Sequence, residues 1–190
     1  MSERVDPRAL KTRERALGAA RDAFLAEGFD ALTHLELARR SGIGRKTLYR
    51  HWPTVEDLVH ATLDSLNFPR PPHTGELRRD LTAHLLALRE ALTEGPLAFV
   101  IHALAERSTI DPTLRPVRRR LIEEGCAPIR TILRTAADSG RLPPDLDVEQ
   151  AASELEGPIF YRALVHDEPI PAGSVERAID SFLDEHRSHA

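Results

Sequence analysis

The chain has 190 residues, 41% of them hydrophobic, and a formal net charge of −4. That length allows one domain or two small ones, and ordinary apolar content with little net charge excludes a mainly disordered state. The longest uncharged run, Gly95 to Ala105, has eleven residues, short of the roughly 18 that a membrane span needs.

The acids Glu3 and Asp6, with no apolar stretch beside them, argue against a secretory leader. A single cysteine, Cys126, excludes an internal disulfide and suits a reducing compartment. Apolar residues recur at helical spacing, and no stretch alternates as a strand does. The first helix begins at Asp6-Pro7, an N-cap followed by proline at the first helical position. It carries Leu17, Ala20, Ala23 and Phe24 on one side and stops before Gly28. Thr33-His34-Leu35-Glu36 opens the second as a capping box, in which the glutamate reaches back to the N-cap amide. Ser41-Gly42-Ile43-Gly44 breaks it. A short third helix runs from Arg45 to His51, and Thr54 caps a fourth, from Val55 to about Leu66.

Residues 1–68 contain only Pro7 and Pro53, and the rest of the chain contains twelve prolines. The segment from Phe68 to Gly75 cannot continue a helix, because proline lacks the N–H and clashes with the preceding turn. It reads as a linker between a domain at 1–66 and another at 67–190. Beyond it, Leu77, Leu81, Leu85, Leu88 and Leu92 form one helical stripe. Further helices start at Gly95-Pro96, at Asp111-Pro112 (with Gly125 and Pro128 inside), at about Asp147 (with Gly157-Pro158 inside) and at Ser174. The reading is all-α, with roughly nine helices and no sheet.

Charge is uneven. Residues 1–66 carry 11 Lys/Arg against 10 Asp/Glu, and the remainder carries 15 against 20. The bases of the first part cluster as Arg8, Lys11, Arg13, Arg15 and as Arg39, Arg40, Arg45, Lys46, Arg50. Two short helices with a glycine-containing turn, the second basic, read as a helix-turn-helix. Its second helix fits the major groove, where each base pair shows a distinct donor and acceptor pattern. Arg45 and Lys46 open that helix, Thr47, Tyr49 and Arg50 lie on it, and Leu48 faces inward.

The stretches ALGAARDAFLAEGFD (16–30), THLELARRSGI (33–43) and TLYRHW (47–52) resemble the DNA-binding domain of the tetracycline-repressor family. The resemblance covers about residues 12–60. It implies a homodimer that binds a palindromic double-stranded DNA operator and is released by a small-molecule effector held in the C-terminal domain. By position it implies DNA contacts from Thr33, Arg45, Lys46, Thr47, Tyr49 and His51, and His34 and Arg50 beside them are read as further DNA-binding candidates. Gly44, Lys46 and Val55 depart from the family pattern, which usually has a serine-like cap, a small residue and a phosphate-binding lysine there. The stretch LEGPIFYRALV (155–165) resembles one C-terminal subgroup of the family.

The effector pocket is expected among helices bearing Phe99, His102, Leu133 and Tyr161. The fourth helix, as the covalent route between domains, would act as the lever. Ala151, Ala152, Leu155, Ile159, Val175, Ala178, Ile179 and Phe182 would pair across a two-fold axis, the alternative being that they cover the monomer's own core. Arg39 and Arg40 read as a solvated face, as do Arg118 to Arg120, and the N-terminal bases as either a minor-groove arm or a charged helix end. Trp52 reads as a core anchor and Cys126 as structural. No phosphate loop, nucleophile elbow or metal-ligand spacing occurs, so no enzyme, cofactor or metal is expected. A cytoplasmic, non-membrane protein follows, with a protein-interaction adaptor as the competing reading.

Overall fold

The computed structural model describes residues 7–66, 68, 70–166 and 169–186, and every regular element among them is helical. The α-helices are α1 (Pro7–Glu27), α2 (His34–Ser41), α3 (Arg45–His51), α4 (Val55–Asp64), α5 (Leu77–Thr93), α6 (Leu97–Ile110), α7 (Leu114–Asp138), α8 (Val148–Tyr161) and α9 (Ala172–Glu185). A 3-10 turn (Phe29–Ala31) follows α1, and a π turn (Arg162–His166) follows α8. The expected N-cap Asp6 lies outside the described residues.

These elements form two compact units, Met1–Asn67 with Ala103–Val117, and Phe68–His102 with Arg118–Ala190. Residues 103–117, assigned from sequence to the C-terminal domain, therefore side with the N-terminal unit. The chain passes between units three times, at 67–68, 102–103 and 117–118. So α4 is one covalent route between them, not the only one.

In the first unit α1 buries Ala16, Leu17, Ala20, Ala23 and Phe24, the face expected from its spacing. Leu32, Leu37, Ile43, Leu48, Trp52, Leu58 and Leu63 are buried in the same unit, as are Leu104 and Leu114. Phe24 meets Phe29 edge to face at 4.9 Å, and the Arg21 guanidinium donates to the Ser65 carbonyl at 3.0 Å, joining α1 to the end of α4. Helix α2 ends at Gly42, whose φ of 66° is left-handed and suits glycine, and its amide bonds back to Ala38.

The second unit is built around Leu81, Leu85, Ile129, Leu133, Leu155, Ile159, Val175, Ile179 and Phe182. Seven of the eight residues expected to pair across a two-fold axis are buried in this core, and Ala178 is half-buried. A face already packed inside one chain cannot also pair with a second. Asp80 is buried, yet its carboxylate accepts from the Thr74 hydroxyl and from the Thr74 and Gly75 amides. Burial pushes its pKa up, but those bonds and His73 outweigh it and hold the carboxyl below the usual range. Asp80 thereby fastens the linker to α5.

Candidate nucleic-acid interface

Helix α3 is a poor helix by local rules. It has seven residues, its N-cap Gly44 offers no side-chain bond, and its first turn has no acid. Arg45 and Lys46 put two cations at its N-terminal end, where the helix dipole disfavours them. Helix α4 next to it in sequence is the opposite: Thr54 accepts from the Asp57 amide and Asp57 accepts from the Thr54 amide, a complete capping box. A chain that caps one helix well and leaves its neighbour bare and basic has used those positions for something other than stability.

The basic residues of α2 and α3 differ in what holds them. Arg39 makes a two-pronged bond to Glu36, Nη2 to Oε1 at 2.6 Å and Nε to Oε2 at 3.0 Å. Arg40 bonds the same carboxylate at 2.5 Å through Nε and also reaches Glu27. These bonds from Arg39 and Arg40 hold the Glu36 carboxyl down at about 2. Glu36 is thus turned to its arginines and does not reach back to Thr33, so only half of the expected capping box forms: the Thr33 hydroxyl accepts from the Glu36 amide at 3.2 Å. Arg45, Lys46 and Arg50 are exposed, and no ion pair holds them among the described residues.

The other sequence-derived candidates divide. Thr33 and Tyr49 are exposed and Thr47 is half-buried. His34 is only 3% exposed, so its ring faces inward and not toward the surface where Thr33 and Tyr49 lie. Its Nε2 lies 2.6 Å from the Trp52 carbonyl, and its ring stacks on Tyr49 with centroids 4.0 Å apart and planes at 18°. The signal was in the spacing: His34, Leu37 and Ser41 share the inward side of α2. His51 is half-buried against Trp52. Among the described residues its Nε2 is buried without a hydrogen-bond partner, and burial, with Arg50 and Arg13 nearby, lowers its pKa and favours the neutral ring. Trp52 is buried, as an anchor should be, with the Arg13 guanidinium 5.8 Å above its ring.

In the second unit Leu133 is fully buried, while Phe99, His102 and Tyr161 are exposed. A cleft of about 140 Å³ there is lined by Pro71, His73, Asp80, His84, Pro128 and Thr131, and by none of those four. Beside it, His84 and Glu156, both buried, meet at 2.8 Å. Their separation of 72 positions hides this pair from sequence. Among the described residues no three or more His, Cys, Asp and Glu side chains are grouped to hold a metal ion, and no helix is long and apolar enough to cross a membrane.

Residues 16–62 match the family described as bacterial regulatory proteins, tetR family, and residues 71–182 match the tetracyclin repressor-like C-terminal domain. An HTH-type transcriptional regulator of Bacillus subtilis (strain 168), YdeS, is 31% identical over 169 residues, covering 86% of this chain and 84% of its own. A DNA-binding transcriptional repressor, TetR, of Mycobacteroides abscessus is 27% identical, covering 91% of this chain and 93% of its own. A crystal structure of a TetR family transcription regulator superposes with a TM-score of 0.66 at 32% identity, covering 92% of this chain and 97% of that one.

Proposed function

This chain belongs to the tetracycline-repressor family of DNA-binding transcriptional regulators, not to a family of enzymes, and from that premise we propose that it is a ligand-responsive repressor. One observation carries the DNA-reading part. Helix α3 presents Arg45, Lys46 and Arg50 exposed and, among the described residues, without an ion-pair partner, while the adjacent arginines of α2 are neutralised by Glu36 and Glu27. Arg45 and Lys46 are the donors for base edges and phosphates. Thr33, whose hydroxyl hydrogen is not used by its cap, and Tyr49 are donors for phosphate oxygens. The repressor sense is supported by the likeness to the mycobacterial repressor. Such a protein works where the chromosome is, in the cytoplasm.

The effector is proposed to bind in the second unit, at the cleft bounded by His73, Asp80 and His84. At about 140 Å³ it is smaller than the roughly 300–1,000 Å³ of drug-sized sites, which favours a small ligand. That ligand must prefer the DNA-incompetent form, since equal affinity for both forms shifts nothing. The homodimer is proposed to use the outward side of α8 and the π turn after it, where Pro158 and Tyr161 of the helix and Val165 of the turn are exposed, the last two at 55% and 67%.

The test is fluorescence anisotropy with the duplex upstream of the protein's own gene, against a scrambled duplex, over a range of salt. Tight binding to the first alone, falling steeply with salt, supports the reading. Equal, weak binding to both refutes it for that site, and selection from a random duplex pool then decides whether any sequence is read.

A further inference from the structure

We propose that His34 is a positioning residue for DNA reading: it seats Tyr49 and pins the far end of α3, an inference that rests on α3 being the reading helix. A seven-residue helix is too short to hold itself in water. It depends on what grips it, and Leu48, fully buried, grips only its middle. His34 supplies two further holds from one ring. Its Nε2–H donates to the carbonyl of Trp52, the C-cap of α3, which otherwise lacks an intrahelical partner. A carbonyl only accepts, so this bond assigns the ring's hydrogen to Nε2.

The flat of the same ring lies against Tyr49 at 4.0 Å. Tyr49 is 44% exposed, yet one side of its ring is covered by a side chain that is itself 3% exposed. A tyrosine on an unsupported surface samples several rotamers and loses that freedom on binding. A tyrosine stacked on a fixed ring has already lost it, so its hydroxyl is aimed before DNA arrives. His34 is rigid because it is the first residue of α2, directly after the Thr33 cap, and shares the inward side with Leu37. The coupling runs from α2 through His34 to both Tyr49 and Trp52, and it fixes the rotation of α3 about its own axis.

Two variants separate the two holds. His34→Phe keeps a ring for Tyr49 and removes the donor, and His34→Gln keeps a donor and removes the ring. The full-length protein is used, with unfolding midpoints measured alongside. Without DNA, the Tyr49 ring proton resonances are shifted by the neighbouring ring current in the unaltered protein. They move to solvent-exposed values in His34→Gln and stay in His34→Phe. With the duplex recovered by selection from a random pool, His34→Gln weakens binding by about three- to tenfold, the range of one aromatic pair. His34→Phe, which keeps the ring but leaves the Trp52 carbonyl without its donor, weakens binding less than His34→Gln but measurably, and no loss at all in His34→Phe would remove the hold on the end of α3 from the proposal. In a Tyr49→Ala background His34→Gln costs no further affinity, because the ring it seats is gone.

Additive losses in the double variant, or losses that track only the unfolding midpoint, overturn the proposal, as do unshifted Tyr49 resonances in the unaltered protein. If the unaltered protein reads no duplex, the regulator reading fails separately. The resonance arm then still decides whether His34 seats Tyr49.

Discussion

Replacing Lys46 by alanine should remove a charge that α3 holds ready and nothing else. The side chain is exposed and has no ion-pair partner among the described residues, so its loss leaves no orphaned group. If it neutralises one phosphate per protomer, the slope of log affinity against log salt falls by about 0.9 per contact, or about 1.8 for a dimer. Between about 50 and about 200 mM salt, that difference amounts to roughly tenfold in affinity. Arg39→Ala is the control. Its guanidinium is bound to Glu36 through two bonds, so its removal should leave the slope unchanged. Anisotropy titrations at four salt concentrations, with one fixed duplex, measure both. Equal slope changes for the two variants would refute the division between paired and unpaired cations. A Lys46→Ala variant that keeps its slope but no longer distinguishes the duplex from a scramble would instead place Lys46 on a base edge.

Burial and the neighbouring Glu156 push the Cys126 thiol up to about 11, so at pH 8 it should react with a disulfide reagent roughly 200-fold more slowly than an ordinary thiol; equal rates in the native and urea-unfolded protein would contradict this. His51 is held neutral by burial and by Arg50 and Arg13, so its folded pKa lies below 6.5. The unfolded chain then binds more protons below that value, and stability is fully present above pH 6.5 and falls as pH drops through it; His51→Phe should flatten urea midpoints between about pH 7 and about pH 5. Leu155→Ala, at the centre of the second unit, should cost about 2–5 kcal/mol of stability. Tyr161→Glu, on the outward side of α8, should instead shift light scattering toward the monomer while α-helical content is kept.

The all-helical fold, the bare basic helix after a glycine turn and the proline-marked linker were legible without coordinates, because each is a local property. Helical period, caps and breakers act over a few residues, and the family spacing lies within one short stretch. The sequence also determined that Leu17, Ala20, Ala23 and Phe24 share a face, since 3.6 residues per turn leave no other arrangement.

Which apolar face meets which partner is not local, and there only the tertiary structure decided. Ala151, Leu155, Val175 and Ile179 show the same stripe whether a helix packs inside its own chain or across a two-fold axis, and the fold spends that stripe on its own core. Charges behave alike: Arg40 and Lys46 are equivalent letters until Glu27, thirteen positions before Arg40, is brought within reach of one and not the other. The same holds for His34, which reads as a surface donor beside a cap until α3 closes over it. Burial then turns its ring inward, and the carbonyl of Trp52 and the ring of Tyr49, 18 and 15 positions away, become its partners.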